Sequence, residues 1–498
     1  MIFLGVFASM DWLCSQSMFL FPGNGSLLIA NFASKQRLDA PWPRRKLGIR
    51  SVPIDCSYYP EGKLVAVLAS AKFPHRDLLP EEGESDPQAS YSYALATMQE
   101  SKRDISERHE ILLVNPTTWL QTWRFSLLPG EIGLAVEAVH LKDASSGATV
   151  PMIVVGTAFS AGEDYPCSGR VILVEITKSE KTGNWNGQIV YSREFKGPVT
   201  ALSTVEGYLL LSTGNRIETC ILKTSKSSDE ARTVFTLQRS SFYEGPSLVT
   251  CLHVVKNFLL LGDVQHSINF LRYKEQGKQI NLLAKDFGKI GVRSCQFLIA
   301  GSSLHMVVAD REGNLWCFTY APNDPKSWKG QKLERWGSFH IGKGLSCMLR
   351  TKMLNVSTMS SGKASRIDKG KMETKQGVLC GTDTGGIHMI LPLSMAENEE
   401  LADIVRKGTK ALTLSISHSG GLNPSAFRRR YNKTLLSTEG ARPFDPPIPL
   451  FSQGILDGEL LLEYLHQSLG TQSRIASMAG TDRETLAMIC DMLCSLSY

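Results

Sequence analysis

The sequence predicts a mainly β protein: a seven-bladed, WD40-like β-propeller followed by a small α-helical C-terminal domain. Three observations predict it. Five short apolar runs recur along the chain, each ending in a small residue followed by Thr or Asp: Met152–Thr157, Tyr208–Thr213, Phe258–Asp263, Met306–Asp310 and Gly377–Thr382. Each is followed, after a few polar residues, by a second alternating run: Arg170–Ile176, Arg216–Leu222, Ser267–Tyr273, Asn314–Tyr320 and Ile387–Leu393. The middle copies lie about fifty residues apart, which suits four-stranded propeller blades. Beyond Leu393 the hydrophobic period changes from that of strands to that of helices.

The elements follow in order. Met1–Met10 is apolar but lacks a cationic start, and Asp11 and Trp12 follow at once, so it reads as a strand and not as a secretory leader. Phe19–Phe21, the turn Pro22–Gly25 and Ser26–Phe32 read as strand, turn, strand. Residues 1–46 are thus expected to be terminal strands of a preceding propeller that the chain does not contain. Residues 47–393 are expected to form the propeller. It carries two polar insertions, near 73–109 (Pro, Ser, Glu and Asp rich) and 351–375 (Ser and Lys rich), which read as solvated loops. Leu64–Ala69 and Glu110–Val114 are the strands on either side of the first.

Residues 394–498 are expected to form the helical domain. Met395–Ser415 places Leu401, Ile404, Val405 and Leu412 on one helix face, and Arg442–Pro449 breaks any regular element. Leu456–Ser468 places Leu460, Leu461, Tyr464 and Leu465 on one stripe. Thr481 and Glu484 have the spacing of a capping box, which would start a last helix burying Leu486, Ile489, Cys490 and Leu493.

Composition limits the function classes. The chain has 498 residues, 42% hydrophobic and 20% charged, with a formal charge of +6. That charge is small for the length and does not by itself argue for nucleic acid. No apolar run reaches the roughly 18 residues a membrane span needs. Eleven cysteines include no C-x-x-C pair and no zinc spacing. Cysteines inside apolar strands act as small hydrophobes, which implies a reducing compartment, cytosol or nucleus.

Catalytic motifs are absent from the sequence, and the reading is of a non-enzyme with no catalytic, cofactor or metal residues and no small-molecule substrate. There is no phosphate loop, no G-x-S-x-G elbow and no H-E-x-x-H helix. Gly381–Gly386 is Gly-rich but lacks Lys and closes a hairpin, so it reads as a turn. Asp263 and Asp310 recur at equivalent hairpin positions, which favours turn-forming carboxylates over a catalytic pair. His253 and His305 abut strands and read as hydrogen-bonded structural residues. Two basic clusters remain as candidate RNA or partner contacts. Arg44, Arg45 and Lys46 form the first. Phe427, Arg428, Arg429, Arg430 and Tyr431 form the second, where Arg beside aromatic rings suits phosphate contact with base stacking. A solvated surface or a protein partner is the competing role for each.

Several segments carry a family resemblance: Asp39–Pro43 (DAPWP), Lys196–Leu202 (KGPVTAL), Val255–Tyr273, Gly420–Arg428 (GGLNPSAFR) and Ile455–Leu460 (ILDGEL). They resemble the C-terminal third of the largest subunit of the cleavage and polyadenylation specificity factor, the CPSF A subunit family. The same fold also serves a ubiquitin-ligase adaptor of the damaged-DNA-binding type and a U2 spliceosomal scaffold. DAPWP and GLNPSAFR favour the polyadenylation branch. The resemblance implies a nuclear scaffold that organises other subunits of the complex: WD-repeat and zinc-finger RNA-reading subunits and an endonuclease module. It carries over no catalytic residue and leaves a direct pre-mRNA contact open.

Overall fold

A computed structural model describes residues 17–20, 26–31, 44–49, 51–74, 105–159, 167–179, 185–226, 233–300, 303–352, 376–392, 399–420, 428 and 455–496. The chain is mainly β. It divides into two compact units, residues 1–31 with 42–295 and 383–385, and residues 32–41 with 296–382 and 386–498.

The strands fall into consecutive antiparallel meanders, the blade unit of a propeller. In the first unit, β1 (Ser17–Leu20), β2 (Ser26–Asn31) and β3 (Arg44–Gly48) form a three-stranded sheet. Three four-stranded sheets follow it in sequence. They are β4–β7 (Val52–Tyr59, Leu64–Pro74, Ile105–Asn115, Leu120–Ser126), β8–β11 (Glu131–Lys142, Thr149–Phe159, Gly169–Lys178, Trp185–Phe195) and β12–β15 (Leu202–Val205, Tyr208–Thr213, Arg216–Lys226, Thr233–Glu244). The next is β16–β19 (Val249–Val255, Phe258–Asp263, Ile268–Lys274, Gln279–Lys285). The unit division falls within β20 (Val292–Ala300), which pairs in a sheet with β21 (Ser303–Asp310), β22 (Asn314–Thr319) and β23 (Glu334–His340). A three-stranded sheet of β24 (Leu345–Lys352), β25 (Gln376–Thr382) and β26 (Ile387–Ile390) completes the series.

Every pair of runs expected from the sequence is an antiparallel hairpin: β9 with β10, β13 with β14, β17 with β18, β21 with β22 and β25 with β26. These are the buried middle strands. Leu209, Leu210 and Leu211, like Leu259, Leu260 and Leu261, are fully buried, because a middle strand is covered on both faces. Their flanking strands alternate buried and exposed residues. Neighbouring sheets pack face to face. One cluster joins Leu68, Ile111 and Leu113 to Val136, Val155 and Ile172; the next joins Val154, Val171 and Leu173 to Leu209, Leu211 and Leu222. A third joins Leu210 and Ile217 to Leu259, Leu261 and Tyr273. A blade therefore buries its apolar faces only through its neighbours, as stacked repeats require.

The described residues correct the blade count. Residues 47–393 hold six sheets where seven were expected. The physical reason lies in the insertions. The first lies between the paired strands β5 and β6 and the second between β24 and β25, so each adds residues inside a hairpin. The insertion residues 75–104 and 353–375, and the opening run Met1–Met10, lie outside the described residues.

Among the described residues, four α-helices follow the strands: α1 (Glu399–Gly420), α2 (Gly458–Leu462), α3 (Leu469–Ala479) and α4 (Arg483–Leu496). They share one core of Val405, Leu412, Leu461, Tyr464, Ile475, Ala476, Leu486 and Cys490. The stripe expected over Leu456–Ser468 is buried, but the helix ends at Leu462, where successive i to i+3 bonds tighten the chain into turns through Gln467. α3 was not expected. Ser468 caps it by accepting from the Thr471 N–H, and Gly480 ends it at φ 82°. The start of α4 also differs. Asp482, not Thr481, accepts from the Thr485 N–H at 3.0 Å, and the Thr485 hydroxyl donates to its other oxygen at 2.6 Å. These bonds hold the Asp482 carboxyl below its usual range.

Candidate functional site

The hairpin ends gather the polar side chains singled out by the sequence. Asp263 lies at the end of β17, fully buried. Its Oδ1 accepts from the N–H groups of Gln265 (2.8 Å) and His266 (2.9 Å), and its Oδ2 from the N–H of Ser247 (2.9 Å). Together with the Ser247 hydroxyl, these donors pull its carboxyl below the usual range despite burial. Asp310 occupies the equivalent place on β21. Its Oδ1 accepts from the N–H of Glu312 (2.9 Å) and Asn314 (2.8 Å); its Oδ2 accepts from Asn314 Nδ2 (2.8 Å) and Trp316 Nε1 (3.0 Å). Both carboxylates are spent on the turn. At the corresponding place on β9, Thr157 donates to Glu131 Oε1 at 2.6 Å, and Arg170 grips the same buried carboxylate with Nε (2.9 Å) and Nη2 (2.6 Å). Between β25 and β26, Gly386 N–H donates to Thr382 Oγ1 at 2.7 Å, with Gly385 at φ 97°. The Gly-rich segment is a turn.

The Asp310 cluster continues outward into a larger junction. Asn314 Oδ1 lies 2.9 Å from His340 Nδ1. His340 ends β23, the edge strand of its sheet. Its N–H donates to the Arg428 carbonyl at 3.1 Å, and Arg428 Nη1 reaches back to the His340 carbonyl at 3.5 Å. The Arg428 guanidinium lies over the Phe339 ring, 4.9 Å from its centroid, and its Nε donates to Asp457 Oδ2 at 2.8 Å. The other oxygen of Asp457 accepts from the Leu460 N–H at 3.2 Å and caps α2. Ile455 packs on the cluster of Val307, Leu315, Met348 and Val378 beneath. Burial lowers the His340 pKa; Asp310 opposes that shift and Arg428 adds to it.

Arg428 therefore joins Asp457, at the start of α2, to the edge strand β23 at His340. The sequence offered Arg428 and Asp457 in separate segments and gave no sign of their contact beyond opposite charge. Of the other candidate residues, Arg44, Arg45 and Lys46 lie on β3, opposite Ala30, Ile29 and Leu28 of β2. Phe427, Arg429, Arg430 and Tyr431 lie outside the described residues. His305 departs from expectation. Its ring stacks on Trp336 at 5.1 Å, but Nδ1 is buried without a hydrogen-bond partner, and burial lowers its pKa. Among the described residues, no group of three or more His, Cys, Asp or Glu side chains is placed to hold a metal, and no helix is long and apolar enough to cross a membrane.

A sequence model of the CPSF A subunit region matches residues 108–466, a span that contains both Arg428 and Asp457. The chain belongs to the CPSF A subunit family. Relatives within it include the probable cleavage and polyadenylation specificity factor subunit 1 of Oryza sativa subsp. japonica, 31% identical over 480 residues, and the subunit 1 of Arabidopsis thaliana, 32% identical over 483. Each alignment covers 95% of this chain and 31% of the relative. Protein cft1 of Schizosaccharomyces pombe is 26% identical over 469 residues, covering 93% of this chain and 30% of its own length. The chain thus spans about a third of the CPSF A relatives it matches.

Proposed function

We propose that this chain acts in the nucleus as a non-catalytic scaffold within the pre-mRNA 3′-end cleavage and polyadenylation complex. The observation that carries the reading is a match over 95% of the chain to relatives named as subunit 1 of the cleavage and polyadenylation specificity factor. The hydrogen bonds of the hairpin ends fit it: Asp263 and Asp310, which recur at equivalent positions, each accept from turn N–H groups. In this reading the described sheets of each unit supply propeller blades and residues 394–498 the helical domain. A preformed platform limits the ordering cost of assembly. Its partners are the WD-repeat and zinc-finger RNA-reading subunits and the endonuclease module. Affinity purification of the tagged chain from nuclear extract tests this reading. Recovery of those subunits is the expected outcome, and recovery of none of them would overturn it.

RNA contact is the finer part of the proposal. Arg428 is already paired with Asp457, so Arg429 and Arg430 carry the contact, flanked by Phe427 and Tyr431. Two phosphate contacts to a single strand give a log–log salt slope of only about −1.4. Replacing Arg429 and Arg430 with Ala should flatten that slope; an unchanged titration would remove RNA contact at this place.

A further inference from the structure

Cys251 on β16 and Cys295 on β20 form a thiol pair between neighbouring sheets, their sulfurs 3.1 Å apart. Three features build the place. The β16–β17 register slips between Val249 and Cys251, leaving Thr250 as a bulge beside the thiol. Opposite, Gly262 has no side chain, and the space a Cβ would fill is taken by Cys251 Sγ and by Val292 Cγ1. Donors also surround the Cys251 sulfur: the Cys295 thiol, the Thr250 hydroxyl at 3.8 Å, and the N–H groups of Gly262 and Cys295. They hold Cys251 below the usual thiol range, while burial and the neighbouring sulfur push Cys295 well above it. Cys251 is partly buried and Cys295 fully buried. Two sulfurs 3.1 Å apart, one in a partly buried residue and one in a fully buried residue, are placed so that oxidation of the first can be resolved by the second.

We propose that Cys251 and Cys295 form a peroxide-reactive site that closes to a reversible disulfide joining β16 and β20. The Cys251 sulfur attacks one oxygen of hydrogen peroxide; the O–O bond breaks, one water leaves and Cys251 becomes a sulfenic acid. The Cys295 sulfur then attacks the Cys251 sulfur, the S–O bond breaks, and the hydroxyl departs with the Cys295 proton as a second water. Two thiols and one peroxide give one disulfide and two waters. The sulfurs need to close by about 1 Å to reach the disulfide length of about 2.05 Å. A dithiol reductant returns both thiols.

The test treats the folded 498-residue chain with stoichiometric hydrogen peroxide, alkylates the remaining thiols and maps peptides by mass spectrometry without reduction. Cys167, the exposed cysteine among the described residues, is the internal control. The expected result is a linked Cys251–Cys295 peptide that forms several-fold faster than Cys167 oxidises and disappears with dithiothreitol. In C295S, dimedone should trap a sulfenic acid at Cys251. Recovery of Cys251 and Cys295 as alkylated thiols at a dose that oxidises Cys167 would overturn the proposal. So would linkage of either to another cysteine. The wild-type measurement decides the matter even if C295S fails to fold.

Discussion

Arg428 makes three kinds of interaction at once: an ion pair with Asp457, a stacking contact with Phe339 and backbone bonds to the edge strand at His340. Its side chain retains 19% of its exposure and that of Asp457 11%, so the pair is shielded but not dry. Removing either partner strands the other charge near the core. We expect R428A to lose about 2–3 kcal/mol in urea unfolding. D457A should lose a similar amount, because α2 also loses its cap. A double-mutant cycle should show coupling of about 1–3 kcal/mol; additive losses would mean that the pair contributes no mutual stabilisation. Lysine cannot present the same flat face to Phe339, so R428K should rescue only in part. At His305 the expectation concerns pH. A histidine whose folded pKa is lowered stabilises the fold above its unfolded value near 6.5, and that stability is lost as pH falls toward the folded value. Burial shifts His109 the same way. The His305 contribution to the melting temperature should therefore fall from pH 7.5 to about 5.5, against the opposite trend from Asp55, whose carboxyl burial pushes up to about 7. H305F keeps an aromatic ring against Trp336 and should show a shallower fall. An identical slope would place the titration elsewhere.

At the scale of elements, the buried hairpins were legible because a middle strand covered on both faces is a continuous apolar run. The flanking strands were not, since β11 and β15 alternate weakly and read like polar loop. Helix α3 escaped for a related reason. Its sequence, LGTQSRIASMA, buries only Ile475, Ala476 and Ala479, too few for a clear stripe, although Ser468 and Gly480 marked both ends. The α4 boundary moved by one residue because Asp482 competes with Thr481 for the cap and bonds both the N–H and the hydroxyl of Thr485. D482A should fray α4 and lower helical ellipticity, whereas T481A should not; equal effects would restore Thr481 as the cap. Between strands, Gly262 is the tightest position that matters. A methyl there meets Val292 Cγ1 at 2.7 Å as well as the Cys251 sulfur. G262A should cost about 1–3 kcal/mol by overpacking, measured by urea unfolding, and a neutral effect would show that β16 and β20 can part.

For the whole molecule, the repeat spacing gave the architecture but overcounted it. Dividing 47–393 by a fifty-residue period yields seven blades, and the polar insertions inside two hairpins make up the difference from six. The candidate site was legible only in outline. The second basic cluster was visible as charge beside aromatics, but sequence alone could not show that its first arginine spans to Asp457. That contact explains the family segments in physical terms: the Asp of ILDGEL caps a helix and anchors an arginine, and its first and last apolar residues, Ile455 and Leu460, pack beneath and into the helical core. The measurement that tests the central claim most directly is mass spectrometry of proteins that co-purify with the tagged chain from its own nuclei. The scaffold reading predicts a poly(A) polymerase, a cleavage endonuclease and a zinc-finger RNA reader among them, retained when RNA is digested. Recovery of a cullin or of U2 proteins in their place would contradict it, leaving the fold intact and the assignment to 3′-end processing wrong.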